Sequence, residues 1–257
     1  MIEIIYLLIL GWIAGIAAGL LGIGGGIIIV PGLIFINYLL NPLIILDVHE
    51  AIGTSLATII FTGISSARAH HLKGGIDYET FLKLITGLIL GSLIGAAVAV
   101  NLHGRLLSMV VVAFLLLVGF RLIFQEVRFS SYYNKNLANL AAHGAWIGLL
   151  SSMLGIGGGT FIVPLLSAKG LEIRKAIGTS AMCGIPIAFF GCLGFILFNQ
   201  DGMLSQYVNW SSALIMSLTS IIGARYGVRL VYKINQSYLK KIFGIFICIA
   251  ALLVLFR

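Results

Sequence analysis

The six residues Leu-Gly-Ile-Gly-Gly-Gly occur twice, at Leu21–Gly26 and at Leu154–Gly159, each time within a long apolar run. Each copy is followed by Val-Pro at the same spacing, at Val30-Pro31 and Val163-Pro164. Glycine costs a helix about 1 kcal/mol per residue against alanine. Three in a row, where every neighbour favours continuation, end the helix. A chain that breaks two apolar helices in one spelling is constrained first by those breaks.

Of the 257 residues 60% are hydrophobic and 9% charged, against about 25% charged in soluble domains. This is the composition of an all-α polytopic membrane protein. The net charge of +8 lies in short loops between apolar runs, which points to membrane orientation rather than nucleic acid. Cys183, Cys192 and Cys248 sit in apolar segments without a Cys-x-x-Cys pair, so no disulfide framework, metal site or cofactor is expected. Met1-Ile2-Glu3 lacks the positive start of a secretory signal, and the first apolar run is read as part of the mature chain.

Apolar runs fall at about Ile4–Leu40, Ala51–Ala67, Phe81–Val100, Leu106–Phe124, Leu137–Ala168, Ala176–Phe198, Val208–Ala224 and Ile242–Phe256. Six have about the 20 residues that span about 30 Å of hydrocarbon. The first and fifth, which contain the glycine breaks, are too long; as one straight helix the fifth would reach about 48 Å. The basic residues choose between a full crossing and a hairpin. If both long runs cross, the sixteen Lys and Arg divide seven against nine. If both return to the side they entered from, fourteen share one side, and Arg105 and Arg257 remain on the other. The second division is a strong positive-inside signal, so each long run is expected to be a hairpin turning at its glycines, with both termini non-cytoplasmic.

Ala-Ile-Gly-Thr-Ser also occurs twice, at Ala51–Ser55 and Ala176–Ser180. The step from Leu21 to Leu154 is 133 residues and that from Ala51 to Ala176 is 125, so one unit of about 128 residues is repeated. The expected architecture is a single integral membrane domain over 1–257, with repeat one at about 1–128 and repeat two at about 129–257. Each unit has one Gly-broken helical hairpin and three full transmembrane helices. An odd number of crossings inserts the second copy upside down, the inverted-topology arrangement of many secondary transporters. The glycine tips then enter from opposite faces and meet. Gly11-x3-Gly15-x3-Gly19, Gly87-x3-Gly91-x3-Gly95, Gly144-x3-Gly148 and Gly223-x3-Gly227 are read as close-packing helix faces.

A broken helix frees peptide groups that the membrane leaves unsatisfied. Where a new helix begins, the freed groups are N–H donors with partial positive charge. Two such starts, at Gly24, Gly25, Gly26 and at Gly157, Gly158, Gly159 and Thr160, make a candidate cradle for a small anion. Thr54, Ser55, Thr179 and Ser180, read as beginning the helix after each hairpin, add matched hydroxyls. Ile27 and Thr160 stand where a Gly-x-Gly-x-x-Gly fingerprint needs its third glycine, which excludes a nucleotide site. All eight acidic residues lie at run ends or in loops, which disfavours a cation site. Arg68, His70, His71 and Lys73 form a basic cluster of the cytoplasmic loop that could attract anions. Cys183 and His143 are read as a core thiol and an interfacial residue.

Through the paired Leu-Gly-Ile-Gly-Gly-Gly…Val-Pro stretches, each followed by Ala-Ile-Gly-Thr-Ser, the whole chain resembles the TauE/SafE sulfite exporter family. The resemblance implies a carrier of the plasma (inner) membrane, with members linked to sulfite, sulfoacetate and other small anions. The chain is thus expected to be a secondary carrier, not an enzyme. Its partners would be a small anionic solute, of a sulfur-containing class by the resemblance, and membrane lipid, with no nucleic acid. A membrane-embedded redox or cofactor-binding protein is the alternative, and it would require paired histidines or cysteines at mid-membrane depth.

Overall fold

Both glycine runs interrupt helices. A computed structural model describes residues 2–40, 46–124, 140–199 and 207–231, with positions 233, 245, 248, 251 and 252 beyond them. Most of the last apolar run, Ile242–Phe256, and Glu126, Arg128, Lys135, Asp201, Lys240, Lys241 and Arg257 lie outside the described residues. The first long run is divided into α1 (Ile2–Leu21) and α2 (Gly26–Leu40). There follow α3 (Val48–His71), α4 (Tyr78–Asn101) and α5 (Gly104–Phe124). The second long run gives α6 (Leu140–Met153) and α7 (Gly159–Ala168), and α8 (Ile173–Leu197) and α9 (Trp210–Val231) complete the order. Every regular element among the described residues is helical.

Helices α1, α4, α8 and α9 are long and apolar enough to cross a membrane. The return limbs α2 and α7 have 15 and 10 residues, about 22 and 15 Å at 1.5 Å per residue. Helix α1, with 20 residues, is long enough for a full crossing. The depth of the first break is therefore set by what it meets, not by the length of the limb leading to it.

The burial pattern departs from that of a water-soluble protein. Leu82, Leu90, Ile94, Leu117, Leu214, Leu218 and Ile222 are exposed, while Thr54, Ser55, Thr58, Thr62, Ser92, Ser152, Thr179, Ser180 and Ser220 are buried. Lipid removes the penalty for the first group, and hydrogen bonds satisfy the second, within a helix for Thr58 and Ser92 and between helices for others. Thr62 Oγ1 lies 2.7 Å from Ser220 Oγ, and Ser152 Oγ donates to the Ser92 carbonyl at 2.8 Å.

The small-residue faces pack as two matched pairs. On α1, Gly11, Gly15 and Gly19 lie against Met216, Ser220 and Ala224 of α9, in parallel, and Gly223 and Gly227 return the contact to Trp12 and Ile16. On α4, Gly87, Gly91 and Gly95 meet Ala141, Ala145 and Leu149 of α6, also in parallel, with Gly144 and Gly148 facing Leu84 and Leu88. Between the pairs α3 and α8 run antiparallel, Gly63 against Ile185 and Gly191 against Leu56. Exchanging α1 for α6, α2 for α7, α3 for α8 and α4 for α9 leaves these pairings unchanged.

Candidate functional site

The two glycine breaks touch. A Cβ on Gly24 would lie 2.9 Å from the Gly157 Cα, and one on Gly157 the same distance from the Gly24 Cα. Around this contact the tips interlock: a side chain at Gly26 would enter the Gly155 carbonyl oxygen, and one at Gly159 the Gly22 carbonyl oxygen. Gly22–Gly26 and Gly155–Gly159 are all buried. Gly24, Gly25 and Gly158 have φ of 73°, 84° and 75°, a left-handed backbone that only glycine adopts freely. At Gly26, Gly157 and Gly159 the requirement is close approach instead.

Each break exposes the start of a return helix. The Gly25 carbonyl accepts from the Ile28 and Ile29 amides at 3.0 and 3.1 Å, and the Gly158 carbonyl from those of Phe161 and Ile162 at 3.0 and 2.9 Å. The first N–H groups of a helix have no partner within it, so Gly26 and Ile27 on α2, and Gly159 and Thr160 on α7, have amides outside the ladder. Thr160 Oγ1 is buried with no hydrogen-bond partner among the described residues. Pro31 and Pro164 lie inside α2 and α7, where each removes the N–H that would bond back to Ile27 and Thr160.

The ends of α1 and α6 reach the same place and bring carbonyls of opposite polarity. Serines cover these. Ser180 Oγ donates to the Gly22 carbonyl at 3.0 Å, and Ser55 Oγ to the Gly155 carbonyl at 2.8 Å. Each bond joins the Thr-Ser of one half to the tip of the other.

These hydroxyls do not begin their helices, as the sequence had suggested. Asp47 caps α3, accepting from the His49 amide, and α8 starts after Glu172. Thr54, Ser55, Thr179 and Ser180 stand in the second and third turns, which excludes capping. Thr54 Oγ1 accepts the Asn209 amide at 2.9 Å and Thr179 Oγ1 the Asp77 amide at 2.8 Å. The preceding glycines make room for the same loops: a Cβ at Gly53 would enter the Tyr207 carbonyl oxygen and one at Gly178 that of Gly75. Ala-Ile-Gly-Thr-Ser is therefore a three-part clamp. Glycine admits a loop, threonine holds it, and serine holds a tip. The loop residues Tyr207–Asn209 and Gly75–Asp77 were missed from sequence; the glycine ahead of both hydroxyl pairs was the available signal.

Thr54 also lines a cavity of about 230 Å³ with Glu3, Asn37, Glu50, Asn209 and Ser212. This cavity opens at the end of the bundle where α1 begins, so carboxylates stand at that mouth while the junction itself has no ionisable side chain. Among the described residues no group of three or more His, Cys, Asp or Glu could hold a metal. Cys183 is buried in an apolar cluster with Ile162 and Ile187. The basic cluster divides: Arg68, His71 and Lys73 are exposed, but His70 is fully buried, its Nε2 3.0 Å from the Gly19 carbonyl oxygen.

The family model for the sulfite exporter TauE/SafE matches residues 7–254. A probable membrane transporter protein of Haemophilus influenzae is 33% identical, over 97% of each chain. The probable membrane transporter protein YunE of Bacillus subtilis is 30% identical over 93% of this chain and 91% of its own. No solved structure matches. The apolar bundle, its paired glycine breaks and these matches lead to one assignment: the chain is a membrane transporter of the sulfite exporter TauE/SafE family.

Proposed function

We propose that this transporter is a secondary carrier for a small, sulfur-containing anion of the sulfite or organosulfonate class. The anion sits where the glycine breaks meet and moves by alternating access between two inverted repeats. One observation carries the reading: α2 and α7 both begin at the buried contact between Gly24 and Gly157. Helix starts stabilise negative charge, and serines donate to two of the carbonyls there, those of Gly22 and Gly155. The amides at Gly26, Ile27, Gly159 and Thr160 would bind the oxyanion, with the Thr160 hydroxyl as a further donor, while Thr54 and Thr179 hold the loops beside the two serines. Support for the inversion comes from the exchangeable helix pairings and the antiparallel α3 and α8. The family name supports the substrate class. The charge division supports an orientation with non-cytoplasmic termini, in which the cavity at Thr54 would open on the outer face.

The test is flux in liposomes containing the full chain, with sulfite, methanesulfonate, sulfoacetate, sulfate and acetate compared. Protein-dependent counterflow of the sulfur anions, exceeding that of acetate, is expected. Counterflow confined to acetate or to cations would contradict the assignment. Orientation is read in the same preparation and in cells from a Lys73→Cys label, expected to react only from the cytoplasmic side; labelling from outside would reverse the topology.

A further inference from the structure

His70 is fully buried in the last turn of α3, and the site as described makes no use of it. Its Nε2 faces the Gly19 carbonyl at 3.0 Å. A carbonyl only accepts, so Nε2 carries the hydrogen and Nδ1 of the neutral ring is a bare lone pair. That Nδ1 is buried with no partner among the described residues, an arrangement that costs stability and therefore calls for a reason. His70 stands between the end of α1 and the loop that Thr179 holds. Gly19 lies one turn before Gly22, and a Cβ on Gly178, next to Thr179, would meet the His70 Cβ at 3.1 Å. The 125-residue step from Ala51 to Ala176 takes His70 to Phe195, also fully buried. The matched position in the other half is thus filled by an apolar ring, and packing does not require an imidazole.

We propose that His70 is the proton-carrying residue that couples anion movement to a proton. A proton adds to Nδ1 when an anion occupies the junction, and it returns to water when the anion leaves. Among the described residues, the ionisable groups on the elements around His70 offer no fixed counterion. Arg68, His71 and Lys73 at the end of α3 and beyond, Glu172, Arg174 and Lys175 at the start of α8, and Arg225 and Arg229 on α9 are exposed. The Asp77 carboxylate in the next loop accepts from the Thr80 amide at 3.2 Å. Helix α1 has its ionisable groups, Glu3 and Tyr6, at its opposite end. An imidazolium buried there is costly alone, and so is an anion held only by dipoles. Each supplies the other's countercharge, so each raises the other's affinity by the same factor.

This inference rests on the transport reading, and the test separates the two. Methanesulfonate, an anion with no titratable proton near neutrality, is loaded by counterflow and, separately, by a pH gradient with acid on the anion side. One unit of pH at one proton per anion raises accumulation by up to about tenfold. His70→Gln keeps a donor for the Gly19 carbonyl but cannot take the proton, and His70→Phe copies Phe195. In both variants the gradient-driven gain, divided by counterflow, is expected to fall to about onefold. A wild-type protein with counterflow but no gain would overturn the proposal, as would either variant retaining the wild-type ratio, because a merely structural role lowers both fluxes together. Absence of counterflow in the wild-type protein would remove the transport reading and this one with it.

Discussion

Gly157→Ala is expected to lower sulfur-anion flux about tenfold or more while the protein still inserts and folds. Gly157 is not among the left-handed glycines, so alanine meets no backbone strain there. Its methyl would lie 2.9 Å from the Gly24 Cα and 3.2 Å from the Ile23 carbonyl oxygen, which forces the two tips apart. Overpacking of this kind costs about 1–3 kcal/mol, and a loss of about 1.4 kcal/mol in binding alone is tenfold. The partners are backbone atoms of the opposite tip, so no rotamer change relieves the contact. Gly63→Ala is the comparison, because its methyl meets one side-chain atom, Ile185 Cγ1, at 3.2 Å and no backbone atom closer than 3.8 Å. Flux through Gly157→Ala equal to that of Gly63→Ala would detach transport from the junction.

The second large effect falls on stability. Gly178→Ala is expected to lower stability by about 2–4 kcal/mol, the sum of overpacking and a lost hydrogen bond. Replacing a helical glycine by alanine ordinarily gains up to about 1 kcal/mol, so the sign itself is informative. At this position the new methyl enters the Gly75 carbonyl and pushes away the loop whose Asp77 amide bonds Thr179. Gly53→Ala does the same to Tyr207 and Asn209 and should cost a similar amount. Thermal midpoints in detergent measure this against Gly104→Ala, whose methyl meets nothing closer than 3.5 Å. Three equal midpoints would mean that Ala-Ile-Gly-Thr-Ser is not a clamp.

What could be read from the chain was whatever depends on local spelling. The breaks at Gly22–Gly26 and Gly155–Gly159 follow from consecutive glycines in an apolar run. The faces Gly11, Gly15, Gly19 and Gly87, Gly91, Gly95 follow from a four-residue period that places small residues on one side of a helix. Bonds between the halves left no such trace. Ser55 reaches a carbonyl 100 residues away and Thr54 an amide 155 residues away, so their hydroxyls read as helix caps or ligands until the partners were seen. His70 was hidden for another reason. Among Arg68, His71 and Lys73 it resembles part of a solvated loop, yet helical geometry turns it alone toward Gly19.

The most direct measurement is the position of a bound anion, read from the anomalous scattering of selenite in crystals of the full chain. Selenium is expected within about 4 Å of the Gly26 and Gly159 amide nitrogens, the distance that hydrogen bonds from them to selenite oxygens allow. Selenium found only beside Lys73 and the exposed basic loops, with none between the glycine tips, would contradict the site.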